Sequence, residues 1–215
     1  MKTMAPASTV LLCAATRWEA APLAARLRGR ATVLQTGMGA ARTAEALSRL
    51  EGGFSFVLST GFAGALQPGM ETGDLVLDMQ GLDLELVQAA RAAAETLKLR
   101  FHFGKVVDAE TPLSAPEDKA RLGRERRASA VDMESAQIRA WAESRGTPFL
   151  VARVVLDRVD QRLPSRVPEG EDAWSLLRYA AQNVAELPLL LATGLRQRRA
   201  MPNLSAFLDR FLESL

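Results

Sequence analysis

The chain alternates between two spacings of apolar residues, one of strands and one of helices. Thr9 to Ala15 (TVLLCAA) is β-branched and aliphatic and ends in small residues, the pattern of a buried first strand. Trp18 to Leu27 has amphipathic helical spacing, Ala31 to Gln35 reads as a second short strand, and Thr36-Gly37-Met38-Gly39 as a turn. Ala40 to Leu50 places Ala41, Ala44, Leu47 and Leu50 on one helical stripe. Phe54 to Ser59 predicts a third strand running into a glycine turn, Gly61-Phe62-Ala63-Gly64, and Leu75 to Leu77 begins a fourth. The alanine-rich segment Leu82 to Leu99 predicts a helix, and Phe101 to Val107 returns to strand character. After a turn with Pro112 and Pro116 come a short helix around Asp118 to Leu122 and a short strand, Ala130 to Met133. The helix Glu134 to Arg145 is stopped by Gly146 and Pro148. Phe149 to Leu156 (FLVARVVL) carries the strongest strand pattern. From Ala173 the chain predicts two or three helices broken by Pro188 and Pro202. Strands and helices in this rhythm predict a three-layer α/β fold.

Composition narrows the class without changing that picture. The 215 residues suit one domain, with a core at about 9–163 and a helical tail at 173–215. A 48% hydrophobic and 24% charged chain is an ordinary soluble one. Its formal charge of +2, from 27 basic and 25 acidic residues, does not establish a nucleic-acid surface. One cysteine, Cys13, allows no intramolecular disulfide and reads as inert core in a reducing cytosol. The apolar stretch from Val10 is too short for a normal signal peptide, and no run is long enough to span a bilayer, so the expected location is cytoplasmic. No His/Cys/Asp cluster has metal-ligand spacing, and no metal is expected. His102, the single histidine, stands between two phenylalanines and reads as a satisfied or partly exposed strand residue rather than a catalyst. The basic runs Arg124 to Arg127 and Arg196 to Arg199 fit solvated faces, with attraction to a membrane surface as the alternative.

Three carboxylates stand where strands give way to turns or helices: Glu19, Glu134 and Asp157. Ligands of open α/β sheets sit outside the carboxyl ends of the strands, so such residues can converge on one pocket. Taken singly, each is more often a helix cap or a solvated group. Gly37, Gly39, Gly61 and Gly64 permit close backbone approach to a ligand, or simply tight turns. A dinucleotide reading of Gly37-Met38-Gly39 fails for want of the third glycine.

The words around these residues resemble the nucleoside phosphorylase/nucleosidase superfamily. Ala130-Val131-Asp132-Met133-Glu134-Ser135-Ala136 is similar to its acidic-Met-Glu motif, and Arg153 to Asp160 to its Arg-x-x-Ser-Asp-x-x-Asp strand end. Thr60-Gly61-Phe62-Ala63-Gly64 with Gly73-Asp74-Leu75-Val76, Thr36 to Gly39, and Ala14 to Ala20 match three further words, in order, from about Val10 to about Leu163. The resemblance implies a three-layer α/β/α fold with a mixed central sheet and, as function, cleavage of the N-glycosidic bond of a purine (adenine) nucleoside. By it, Asp157 is the general acid that protonates the base at N7, Glu19 activates the attacking water, Glu134 grips the ribose hydroxyls and Met133 packs on the sugar, although core filler is an equal reading of the methionine. It adds Thr60, Gly61, Phe62, Gly37 and Val155 to the substrate-binding set. It implies no cofactor, a small purine nucleoside as partner, no nucleic acid, and a homodimer.

The chain departs from the pattern in four places. Leu156 stands where a small polar residue usually precedes the acid, and Phe62 where many members carry a serine. No arginine falls within the glycine words, which favours water over phosphate as nucleophile, with Arg17 and Arg42 left as phosphate candidates. The interval between Asp78 and Gly104 is filled by one helix, which leaves the base pocket open to a bulky 5′ substituent, or degenerate. Asp157 to Pro164 and the tail around Pro188 to Leu191 resemble the branch associated with hopanoid biosynthesis, which is thought to remove adenine from adenosylhopane. Two alternatives stay open: a phosphate-dependent phosphorylase, and a nucleoside-binding domain without turnover.

Overall fold

The computed structural model describes residues 10–164 and 182–215. The elements in order are β1 (Val10–Ala14), α1 (Arg17–Arg26), β2 (Thr32–Gln35), α2 (Ala40–Ser48), β3 (Phe56–Ala65), β4 (Leu75–Asp78), α3 (Leu84–Thr96), β5 (Phe101–Phe103), β6 (Val106–Asp108), α4 (Pro116–Arg126), β7 (Ala130–Asp132), α5 (Ser135–Glu143) and β8 (Phe149–Asp157). A 3-10 turn, Val184–Glu186, leads into a last helix, α6 (Leu187–Leu212). The N-terminal residues before Val10 and the expected start of the tail at Ala173 lie outside the described residues.

The eight strands form one mixed sheet with the path β2-β1-β3-β8-β4-β5. The strands β2, β1, β3 and β8 run parallel, β4 is antiparallel to β8, and β5 follows β4 in parallel. Strand β3 outruns β1 at its C-terminal end, and there Gly64 and Ala65 pair antiparallel with β7, which carries β6 alongside. The alternation of side chains sorts the core into two layers. Leu12 and Ala14 of β1 and Leu150, Ala152 and Val154 of β8 pack against α1, α3 and α6. Leu11 and Cys13, with Val151 and Val155, face the opposite side, where α2 contributes Leu47 and α5 contributes Ile138 and Ala142. This is the period-two rule of a sheet covered on both faces, and it makes the three-layer α/β/α architecture. Burial pushes the Cys13 thiol up to about 12, so the sulfur stays protonated core.

Several expectations need correction. The glycine segment after Ser59 is not a turn: β3 continues through it, because residues 57–64 pair with β8 along their whole length. Phe101 to Val107 is two strands. Gly104 separates them, lying so close to Ser129 that a Cβ there would stand 1.9 Å from its Oγ, and the chain leaves β4 to join β7. The tail is not broken at Pro202. Pro188 occupies the first turn of α6, where no N–H is needed, while Pro202 lies inside the helix. An interior proline costs about 3 kcal/mol. Burial of Leu204, Phe207, Leu208 and Phe211, each fully enclosed, contributes about 1.5–3 kcal/mol apiece and holds the helix through it.

Helix α4 is longer than expected and seats on the sheet through a glycine. A Cβ at Gly123 would lie 2.5 Å from the backbone oxygen of Leu66. Gly194, in α6, has open space around it. Gly123→Ala is therefore expected to destabilise the protein by about 1–3 kcal/mol through overpacking, whereas Gly194→Ala stabilises it by up to about 1 kcal/mol. Urea denaturation midpoints of the two variants check this; equal shifts in one direction would refute the packing argument.

Candidate active site

Position 153 of β8 falls in the row that its neighbours Val151 and Val155 devote to the second core layer, yet it is an arginine. Arg153 is 1% exposed. Its Nε donates to Asp132 Oδ2 at 2.7 Å, one terminal nitrogen donates to the Thr60 carbonyl at 2.6 Å, and the other donates to Ser59 Oγ at 2.7 Å and Ser135 Oγ at 3.0 Å. Asp132, at the end of β7, also accepts the N–H groups of Glu134 and Ser135 and the Ser135 hydroxyl. The charged pair thus fastens the start of α5 to the centre of the sheet.

Two of the predicted carboxylates gather around this guanidinium. Glu19, in the first turn of α1, accepts from the backbone and hydroxyl of Thr16 through Oε2, both at 2.8 Å, which forms the capping box of the helix. Its Oε1 accepts the Phe62 N–H at 2.7 Å. Gly61 adopts φ +135°, and a Cβ there would fall 2.2 Å from Glu19 Oε1 and 2.8 Å from an Arg153 nitrogen. Only glycine admits both groups to the β3 backbone at this point. Glu134 accepts the Gly39 N–H at 2.8 Å. Met133 is half-buried beside the same glycine, its Cε 3.9 Å from the place of a Gly39 Cβ. Gly37 and Gly39 both take positive φ, and the Arg42 side chain packs against Gly37.

Burial is the main cause that lifts the Glu134 carboxyl from 4.5 to about 7, with the Arg153 charge and the Gly39 N–H opposing it and Asp132 and Glu19 adding to it. Asp108 of β6, which accepts the Ala136 N–H through both oxygens, is likewise raised to about 6 by burial and by neighbouring Asp132.

Asp157 stands apart from the Arg153 group. It pairs in register with Gly64, three residues further along β3 than Gly61, which pairs with Arg153. A Cβ at Gly64 would lie 3.4 Å from Asp157 Oδ2. Asp157 Oδ2 accepts from Lys119 Nζ of α4, and both side chains are 1% exposed. The ammonium also donates to the carbonyls of Gln161 at 2.6 Å and Arg158 at 3.2 Å. Burial raises the Asp157 carboxyl above its ordinary range, against the lowering pull of Lys119 first and Arg196 second.

The remaining predicted positions are less uniform. Thr60 is fully buried, and its hydroxyl has no hydrogen-bond partner among the described residues. Phe62 presents its backbone to Glu19 while its ring packs on the first core layer. Val155 is enclosed in the second core layer; its N–H donates to the Asp74 carbonyl and its carbonyl accepts the Gly73 N–H. Leu156 is partly exposed. Arg17 is exposed and stacks over Trp18 at 4.6 Å, and Arg42 is exposed on α2. His102 Nε2 lies 2.9 Å from Asp74 Oδ2 and ties β5 to the turn before β4. Among the described residues no group of three or more His, Cys, Asp or Glu could hold a metal ion, and no helix is long and apolar enough to cross a membrane.

A mixed sheet between helical layers, with carboxylates lodged over a glycine-bearing strand, defines a class of α/β enzyme. The family model for the phosphorylase superfamily matches residues 77–192, just over half of the chain and including Asp132, Glu134, Arg153 and Asp157. The chain belongs to the phosphorylase superfamily. It is 28% identical over 204 residues to a 5′-methylthioadenosine/S-adenosylhomocysteine nucleosidase of Geobacillus kaustophilus, covering 81% of this chain and 84% of that protein. Its fold is similar to that of the Helicobacter pylori enzyme of the same name bound to butyl-thio-DADMe-Immucillin-A, with a TM-score of 0.75 at 17% identity over 98% of this chain and all of that one. Futalosine hydrolase of Helicobacter pylori superposes with a TM-score of 0.73 at 17% identity, over 96% and 97% of the two chains.

Two predictions follow from the charges. Arg153→Met leaves Asp132 buried without its cation and is expected to cost about 3–5 kcal/mol. Pairing it with Asp132→Asn is expected to recover part of that loss, so a double-mutant cycle in urea shows coupling of more than about 1 kcal/mol, and strict additivity would contradict the pairing. For Glu134, the folded protein keeps a proton that the unfolded chain releases between pH 4.5 and about 7. Its contribution is therefore most favourable at low pH and is lost as pH rises across that window, by about 3 kcal/mol. Glu134→Gln removes the effect, so its stability relative to the parent should rise between pH 5 and pH 8 and level off above; a difference independent of pH counts against it.

Proposed function

We propose that the protein hydrolyses the N-glycosidic bond of an adenine nucleoside, with Asp157 as general acid and Glu19 as the group that activates water. The observation that carries this reading is the convergence of Glu19 and Glu134 on the glycine-opened backbone at Gly61 and Gly39, with Asp157 further along the same strand pair. Three strand residues span about 10 Å, a length suited to one nucleoside with its sugar at the Glu19 and Glu134 end and its base toward Asp157. The family relatives that act on adenine nucleosides support the same assignment.

In this reading the Asp157 proton passes to purine N7 as the C1′–N9 bond breaks and its electron pair moves onto the base. Water attacks C1′ and gives its proton to the Glu19 carboxylate. Glu134, raised to about 7, accepts from the ribose hydroxyls in its ionised form. Met133, beside Gly39, lines the sugar. Thr60, Gly61, Phe62, Gly37 and Val155 shape the site. Water is preferred to phosphate because no arginine stands in the glycine segments. The 5′ substituent is left bulky and apolar, as in the hopanoid-associated branch. The same reading takes the chain as one domain, cytoplasmic and homodimeric, with Val184, Leu191 and Leu195 supplying exposed apolar surface for a second copy.

A second reading, nucleoside binding without turnover, draws on the ion pair that holds Asp157. Adenine release from methylthioadenosine, with and without phosphate, separates the two. The parent protein is expected to release adenine without phosphate, and Asp157→Asn to lower kcat by about 10²–10⁴ while binding persists. Binding with no release by the parent would establish the second reading.

A further inference from the structure

Lys119 is the one fully enclosed lysine among the described residues, and nothing in the sequence pattern marked it. Its three donors are all spent, on Asp157 Oδ2 and on the carbonyls of Arg158 and Gln161 in the segment that follows β8. The other carboxylate oxygen, Oδ1, has no hydrogen-bond partner among the described residues. So the lysine holds one edge of the buried carboxyl, and the other edge carries no hydrogen bond among the described residues.

We propose that Lys119 is the positioning residue that makes Asp157 an effective acid: it anchors Oδ2, directs Oδ1 to the leaving base, and stabilises the carboxylate left when the proton has gone. This rests on the nucleosidase reading above. The Oδ1–H bond of neutral Asp157 breaks, N7–H forms, and the negative charge stays on Asp157 against the Lys119 ammonium, which keeps its own proton. A carboxyl this deeply buried with no cation beside it holds its proton too firmly, because charging it means desolvating an anion. An ammonium already in place offsets that penalty at the moment of transfer and needs no reorganisation.

Among the described residues the charged groups around Asp157 are few. Lys119 faces it from α4 and Arg196 acts on it from α6, while β3 offers only Gly64. Arg158 turns away to Asp160 and Glu71, and Asp160 interacts in turn with Lys119. Among the described residues, removing the lysine charge therefore leaves Arg196 as the remaining cation on the acid.

The test is the pH profile of kcat for adenine release from methylthioadenosine by the parent, Lys119→Met and Lys119→Gln. Loss of the cation raises the acid's pKa, so the alkaline limb, where Asp157 loses its proton, is expected to move up by about one pH unit or more. Maximal kcat should fall by about tenfold or more, with KM changed less than threefold. Lys119→Gln keeps a hydrogen-bond donor without the charge, so it should fold where Lys119→Met does not and should show the same displaced limb. A limb at the parental pH in a folded variant overturns the proposal, since a purely structural tie would lower activity without moving it. A limb displaced to lower pH also overturns it, because the lysine would then be the proton's source. Absence of adenine release by the parent itself would instead strike the nucleosidase reading.

Discussion

A guanidinium in the middle of a sheet must be neutralised where it stands, because an unpaired ion there costs several kcal/mol. Arg153 meets that requirement with Asp132 from β7, two serines and the Thr60 carbonyl. The arrangement of Glu19, Met133 and Glu134 follows from this pairing. The pairing draws β7 and the start of α5 onto the parallel strands, which sets the place of Met133 and Glu134. The positive charge makes it tolerable for Glu19 and Glu134 to lie near each other and near Asp132. The guanidinium is thus the scaffold of the site, and no reacting group need touch it.

The opposite logic governs Asp157. Here a single ammonium meets a single carboxylate at the far end of β8, with the chain's own carbonyls taking up the rest of the donors. The middle and the C-terminal end of one strand pair therefore have different electrostatic characters. At Gly61, carboxylates outnumber the cation they surround. At the Gly64 end, two cations act on one acid. A bond cleavage that leaves positive charge on a sugar and negative charge on a base asks for that polarity along its length.

Much of the fold could be read from the chain because its core strands are written in period two with β-branched and aliphatic residues. Val10–Ala14 and Phe149–Asp157 are found within a residue or two of expectation. The failures share a cause: local signals were overridden by partners distant in sequence. Glycines that suggest a turn after Ser59 are strand residues because β8 lies beside them, and Pro202 does not end a helix whose far side is buried by aromatic rings. Of the site, the carboxylates and glycines were visible as words. Arg153 was visible as a letter without a role, since nothing local shows that a residue in an apolar row is paired with Asp132.

Lys119 was the least visible. It sits in a highly charged helix, PEDKARLGRER, whose ionic residues look solvated and mostly are: Arg121 pairs with Asp118 and Glu125 on the exposed side. The clue lies four residues on, where Gly123 lets the helix press against Leu66. Residues at i and i+4 share one helical face, so a glycine that seats the helix also points Lys119 into the protein. A lysine on that face must end at an acceptor or not be buried at all, and the strand end beneath it supplies Asp157. Close packing of one helix is therefore what converts an ordinary surface cation into the buried partner of Asp157.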